Sequence, residues 1–266
     1  MSAVPVPNTE SMLLRHDDGG VTTLTLNRPN QFNTLSYEML ETLIAAVDEI
    51  AADDSVRVVV LAGEGKAFCA GHDLKEMRGN HELAFQQRLF RLCSKFMMKL
   101  TELPQPVIAR VHGIATAAGC QLVSMCDLAV ASDHARFAVS GINVGLFCAT
   151  PGVGLSRNMG RKEAFEMLVT GDFIDAHEAQ RRGLVNRVVA LDELDAEIAK
   201  LAAAIVAKSP VAIRMGKQMF YKQLEMGLDG AYQMAGETMA CNAMCEDAAE
   251  GMDAFVAKRK PQWKGR

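Results

Sequence analysis

Between Val21 and Ala131 the apolar pattern repeatedly changes period, from short β-type runs to stretches with helical spacing and back. Such alternation confines the chain to the α/β classes, because each run must bury a face against a neighbour of the other type. Val21–Leu26 reads as a strand ended by Asn27-Arg28-Pro29-Asn30, and residues 56–61 as a strand running into Ala62-Gly63-Glu64-Gly65. Between them, Leu40, Leu43, Ile44 and Val47 repeat at helical spacing behind a cap at Ser36. A second helix is predicted over 82–102, stopping before Pro104-Gln105-Pro106. A short buried strand, Val107–Val111, a Gly/Ala-rich turn and helix over 112–126 and a strand over 127–131 follow. The rhythm is roughly fifty residues without a residue-level repeat, and stacked ββα or βα turns in one core satisfy it.

After Gly160 the pattern becomes helical: Arg161–Thr170, then 176–182, 194–207, 211–226 and 231–256, with only 184–189 as a strand. Asp175 with Glu178, and Asp192 alone, are expected N-terminal caps. Met215, Met219, Met226, Met234, Met239, Met244 and Met252 form a stripe that reads as core or subunit-interface packing rather than a cofactor contact.

The balance of 28 Lys plus Arg against 32 Asp plus Glu exerts no pull on polyanions, so nucleic acid is not an expected partner. No run of 18 apolar residues occurs, which excludes a membrane-spanning helix. Met1 to Ser11 lacks both the apolar run of a signal peptide and the Arg-rich character of a transit peptide, so a cytoplasmic protein is expected. The seven cysteines are scattered, mostly among small and apolar residues, as free buried thiols are, which fits a reducing compartment; the closest pairs, Cys120 with Cys126 and Cys241 with Cys245, lack nearby histidines at finger-like spacing, and no metal is expected.

Gly63-Glu64-Gly65-Lys66 is too short for a P-loop, and no Gly-x-Gly-x-x-Gly, His-Glu-x-x-His or Gly-x-Ser-x-Gly occurs. Two strand-to-turn junctions remain conspicuous, one running from Lys66 to Leu74 and the other from His112 to Gln121. Small residues there leave backbone N–H groups uncovered, and two such groups from separate turns can hold one oxygen, the outline of an oxyanion hole.

Ala67-Phe68-Cys69-Ala70-Gly71-His72-Asp73-Leu74 resembles the Ala-Phe-x-Ala-Gly-x-Asp-Leu segment of the crotonase (enoyl-CoA hydratase/isomerase) family. The second junction, continuing to Asp127, resembles that family's Gly-Gly-Gly-Cys-Glu-Leu-Ala-x-x-Cys-Asp segment. Asn27-Arg28-Pro29, Pro151-Gly152-Val153-Gly154, Thr170-Gly171, Gly183-Leu184-Val185 and Gly251-Met252-Asp253-Ala254-Phe255 extend the likeness from Val21 to the C-terminus. The resemblance implies a spiral of ββα units with a helical trimerisation region, a homotrimer or dimer of trimers, and an acyl-CoA substrate. Coenzyme A then enters as part of the substrate, and no separate cofactor is implied. The implied organisation is an extension over 1–20, a core over 21–190 and a helical oligomerisation region over 191–266. Oxyanion donors carried over by position are the N–H groups of His72 and Ala118, which need only their backbones. An Ala-Gly-His-Asp turn is also similar to the methylmalonyl-CoA decarboxylase branch. The CoA end is expected along Ala70, His72, Asp73, Leu74 and Lys75, with Phe255 and Lys258 of a neighbouring subunit covering it. Lys258-Arg259-Lys260 otherwise reads as a solvated helix end.

The family's hydratases hold and deprotonate water with two glutamates, and here those positions read Gln121 and Gly141. A glutamine cannot accept water's proton near neutral pH and a glycine has no side chain, so ordinary hydration is disfavoured. Decarboxylation or hydrolysis of a CoA thioester, or acyl-CoA binding without turnover, are the alternatives. Ser140, Asn143, Cys148 and Thr150 are the groups near enough in sequence to substitute, while Glu166 and Asp172 read as exposed. Gln121, Gly141 and the run from Asn143 to Val153 resemble the subgroup called enoyl-CoA hydratase domain-containing protein 3.

Overall fold

The computed structural model describes residues 11–266. In chain order the strands are β1 (Leu13–Asp18), β2 (Val21–Leu26), β3 (Val58–Gly63), β4 (Ala67–Cys69), β5 (Val107–Val111), β6 (Ile114–Thr116), β7 (Leu128–Ser132), β8 (Arg136–Ala138), β9 (Ile174–Asp175) and β10 (Arg187–Val189). The helices are α1 (Tyr37–Ala51), α2 (Leu74–Gly79), α3 (Leu83–Glu102), α4 (Ala118–Met125), α5 (Ala149–Asn158), α6 (Arg161–Thr170), α7 (Ala176–Arg181), α8 (Leu194–Val206), α9 (Pro210–Gln223), α10 (Leu228–Ala243) and α11 (Glu246–Val256).

Two sheets share these strands. The larger runs β1-β2-β3-β5-β7-β10 and is parallel except between β1 and β2; the smaller runs β4-β6-β8-β9 and is parallel except between β8 and β9. Each turn of the chain lays one strand in the large sheet and the next in the small one before a helix carries it back: β3 then β4, β5 then β6, β7 then β8. This is the expected spiral of ββα units. In β3 all six residues are buried, as a central parallel strand covered on both faces requires, whereas β2 alternates between buried and half-buried positions. Helix α1 is capped by the Ser36 hydroxyl, which accepts from Met39 N–H, and buries Met39, Leu40, Leu43, Ile44, Val47 and Ile50 along one stripe. The main core lies between one face of the large sheet and α1, α3 and α4; a smaller one lies on the other face under α8.

The C-terminal helices are fixed by buried charge. On α9 the Lys217 ammonium donates to the Leu100 and Gln105 carbonyls at 2.8 and 2.9 Å and to Asp127 Oδ2 at 2.6 Å. Asp127 also accepts from Val107 N–H at 2.6 Å and from the Tyr221 hydroxyl at 2.8 Å. Beyond α9 the packing thins: α10 buries no residue, and Met239 and Met244 are 74% and 86% exposed. The methionine stripe is therefore largely surface in the single chain, not core.

Several sequence expectations change. Residues 13–18, placed in an N-terminal extension, form the edge strand β1, whose polar, turn-linked sequence hides its pairing with β2. The expected strand at 56–61 is shifted to Val58–Gly63, and that at 184–189 shortens to Arg187–Val189. The turn and helix at 112–126 contains strand β6, and the long helix at 231–256 breaks at Met244-Cys245. Asp192 does not cap α8, whose N-cap is Glu193. Asp175 does cap α7, accepting from Glu178 N–H. The fifty-residue rhythm fits the interval from β3 to β5 but not the much shorter one from β5 to β7.

Candidate active site

Strands β4, β6 and β8 lie side by side and parallel in the small sheet, so the turns leaving their C-terminal ends emerge at one edge. That edge is where open parallel sheets hold ligands. The three turns carry Ala70-Gly71-His72, Ala117-Ala118 and Ser140-Gly141, and all except Gly71 line a single cavity of about 290 Å³. Its remaining wall comes from Leu74 and Met77 of α2, Phe90 of α3 and the segment from Val144 to Pro151. No charged side chain lines it.

Among the described residues, neither His72 N–H nor Ala118 N–H donates to a protein group. For Ala118 the cause is its place as the first residue of α4, where N–H groups have no intrahelical acceptor. For His72 it is the pairing of its neighbours with the Leu35 strand-like segment: Leu35 N–H donates to the Gly71 carbonyl at 2.8 Å and leaves the next amide free. The two turns are in contact. A methyl group on Gly71, whose φ is +92°, would lie 3.1 Å from the Ala118 nitrogen and 2.8 Å from the Ala117 Cβ, so this turn requires glycine. Gly119 is as tightly placed, its absent Cβ only 2.0 Å from the Cys69 carbonyl oxygen, which draws the start of α4 onto β4. Buried Asn33 braces the first turn from behind, donating to the Glu64 and Ala67 carbonyls at 2.8 Å and accepting from Arg28 N–H at 2.9 Å. Two unpaired N–H groups at the wall of one apolar cavity can bind a single oxygen and stabilise charge that develops on it.

Ala117 precedes the second donor with φ 51° and ψ −121°, a conformation that disfavours an L side chain. It hydrogen-bonds through its own N–H to the Ala138 carbonyl at 3.0 Å, which holds it there. Replacing Ala117 by glycine relieves this strain and is expected to raise stability by about 1 kcal/mol, net of glycine's extra unfolded-state entropy. Urea unfolding measures it, and an unchanged or lowered midpoint would mean that the turn is not strained.

His72 donates through Nδ1 to the Leu35 carbonyl at 3.1 Å, and its buried Nε2 has no partner; the ring stands edge-on to Phe90 at 5.4 Å between centroids. Burial pushes the imidazole below the usual histidine range, opposed by the Leu35 bond. Between that lowered value and about pH 6.5 the unfolded chain binds the extra proton, so stability rises with pH across this window and is lost as pH falls through it. His112, lowered mainly by burial too, acts in the same direction. His72→Gln is expected to flatten part of this slope when unfolding midpoints are compared from about pH 7.5 down to about pH 5; a slope identical to the parent's would exclude a role for the buried imidazole.

The two positions matched to the family glutamates differ in kind. Gln121 is only 4% exposed, leaves its Oε1 without a partner and does not line the cavity. Gly141 does line it, but a Cβ there would meet the Leu146 carbonyl oxygen at 2.5 Å and Cys148 Sγ at 2.7 Å. Of the proposed substitutes, Ser140, Cys148 and Thr150 line the cavity, with the Ser140 hydroxyl bonded to that of Thr116 at 2.7 Å. Asn143 turns away to the Gly171 carbonyl. Glu166 pairs with Arg182 at the surface and Asp172 is exposed, as expected.

Along the expected CoA-binding segment, Ala70, His72 and Leu74 reach the cavity. Asp73 instead caps α2, accepting from Lys75 and Glu76 N–H, and Lys75 is exposed on the first helical turn rather than in a loop. Phe255, 86% exposed, lies in a separate groove with Met252, Asp247 and Trp263, and Lys258 is exposed beyond it. Neither joins the cavity within one chain. Sequence reading missed Phe90, Met77 and the strained Ala117; only the last left a signal, as an alanine where the resembled motif has glycine. A larger groove of about 870 Å³ lies between α8 and the large sheet, and it contains none of the expected residues.

Residues 16–266 match the family model described as enoyl-CoA hydratase/isomerase. Enoyl-CoA hydratase domain-containing protein 3, mitochondrial, of Xenopus laevis is 44% identical over 92% of this chain and 83% of its own length. A crystal structure of an enoyl-CoA hydratase of Mycobacterium smegmatis is 60% identical with a TM-score of 0.94, covering 96% of this chain and 99% of that one. The human enoyl-CoA hydratase domain-containing protein 3 structure is 43% identical with a TM-score of 0.93, covering 95% and 100%. The Xenopus relative and its rat, mouse, human and zebrafish counterparts are all named mitochondrial, which overturns the expectation of a cytoplasmic protein. That expectation leaned on residues 1–11, all but the last outside the described residues, and the free cysteines do not say which compartment holds the chain.

Proposed function

The chain belongs to the enoyl-CoA hydratase/isomerase family, and from that premise we propose that it binds an acyl-CoA thioester with the carbonyl oxygen between the His72 and Ala118 N–H groups and stabilises an enolate-type intermediate there. The observation that carries this reading is the contact of two turns, each with an unpaired N–H, at one apolar cavity. Charge moves onto the carbonyl oxygen as the enolate forms, so both hydrogen bonds strengthen toward the transition state and lower the barrier. Ordinary hydration is disfavoured. At the positions that the resemblance matches to its acid–base pair stand a buried glutamine that does not line the cavity and a glycine with no room for a side chain.

The exposed methionines of α10 and α11 and the separation of Phe255 and Lys258 from the cavity support self-association through the C-terminal helices. A neighbouring subunit then brings those two residues over the CoA end.

Mass spectrometry of acyl-CoAs incubated with the protein in ¹⁸O-labelled water tests the reaction. Crotonoyl-CoA is expected to return without label while an authentic hydratase converts it, and bound acetoacetyl-CoA is expected to show the near-ultraviolet absorbance of its enolate. Labelled 3-hydroxybutyryl-CoA formed in proportion to protein would overturn the case against hydration. Labelled free acid would identify a thioesterase, and carbon dioxide from a malonyl-type thioester a decarboxylase. A thioester bound, unchanged and without enolate would identify a binding protein.

A further inference from the structure

Position 141 is closed rather than vacant. The Leu146 carbonyl and Cys148 Sγ fill the space into which a side chain at residue 141 would project, and Leu146, Cys148 and Gly141 all line the cavity. Resting on the acyl-CoA reading above, we infer that the segment from Gly141 to Cys148 is the specificity-determining wall for the acyl group, selecting a neutral, apolar acyl chain and barring a charged one.

The direction of the substrate follows from charge. The phosphates of coenzyme A need cations, and Lys75 and Arg78 stand exposed on α2, whose Leu74 and Met77 line the cavity, whereas the lining segment from Ser140 to Pro151 carries no charged residue. With the carbonyl oxygen at His72 and Ala118, the CoA limb leaves past α2 and the acyl limb lies against Val144, Phe147 and Cys148. A carboxylate there would lose water and gain no cation, a cost that an apolar chain does not meet. Cys148 suits the wall because it is buried beside Gly141, and burial pushes its thiol above the ordinary cysteine range. A protonated, poorly nucleophilic sulfur packs as a small hydrophobe.

The test combines calorimetry with thiol labelling of the whole protein. Butanoyl-CoA is expected to bind at least about tenfold more tightly than succinyl-CoA, which places a carboxylate at the chain end. Prolonged treatment with methyl methanethiosulfonate at alkaline pH, which populates the thiolate, followed by peptide mass mapping is expected to label Cys148 slowly in the free protein. Saturating butanoyl-CoA should protect it, and saturating unacylated CoA should not. Cys148→Ala, which deepens the wall, should raise the ratio of pentanoyl- to butanoyl-CoA affinity about fourfold, the worth of one buried methylene. Butanoyl-CoA that binds without protecting Cys148, or succinyl-CoA that binds equally well, overturns the wall while leaving the acyl-CoA reading in place. Failure of every CoA thioester to bind overturns that reading and the wall with it.

Discussion

Ala118→Pro is expected to cut the ratio of enolate to keto acetoacetyl-CoA on the protein by about 100- to 1,000-fold, the usual effect of deleting one oxyanion donor. The proline ring carbon takes the place of the amide hydrogen where this turn meets Gly71, so the fold of the variant is checked alongside the ratio. Ala118 is the first residue of α4, where proline fits the helix and where the lost N–H served no backbone acceptor. The ratio is read from near-ultraviolet absorbance, with circular dichroism and affinity for unacylated CoA confirming that the variant folds and still binds. A folded variant with an undiminished enolate ratio would show that Ala118 N–H holds no substrate oxygen. His72→Gln is the matching control: it keeps the backbone donor and should keep the enolate.

Lys217→Met is expected to destabilise the fold by about 3–5 kcal/mol, because it removes the cation from a buried pair and leaves the rest behind. Two carbonyls, those of Leu100 and Gln105, lose their donor, and Asp127 keeps its charge with only Val107 N–H and the Tyr221 hydroxyl to satisfy it. The loss should appear in urea or thermal unfolding. Adding Asp127→Asn removes the stranded charge, keeps an acceptor for Val107 N–H and turns its NH2 to the Tyr221 hydroxyl, which can accept, and should recover about 1 kcal/mol or more of the deficit. Additive losses in the double variant would show that Lys217 and Asp127 do not act as a pair. The network spans α3, β5, the start of β7 and α9, so it ties the C-terminal helices to the spiral through charge where their apolar contact is thin.

The functional reading depends on features of unequal visibility. The small-residue turns after β4 and β6 stood out as residues, and their likeness to a known motif marked His72 and Ala118. The resemblance made the expected loss of the family glutamates equally plain. What replaced them was not: Gln121 and Gly141 look alike as losses of acid, yet one is a buried amide off the cavity and the other a filled contact with Leu146 and Cys148. Lys217 and Asp127, ninety positions apart, gave no sign of pairing.

The sequence by itself determined the α/β class, the capped helix α1, the Arg161–Thr170 helix and the helical C-terminal region. These are set by local period, caps and residue chemistry, which need no distant partner. Tertiary structure decided that residues 13–18 pair as a strand, that β4, β6 and β8 align their turns at one cavity, and that Cys148 occupies the space beside Gly141. Those outcomes come from contacts between segments far apart in the chain, and short three-residue strands carry too little apolar periodicity to announce their partners before the fold brings them together.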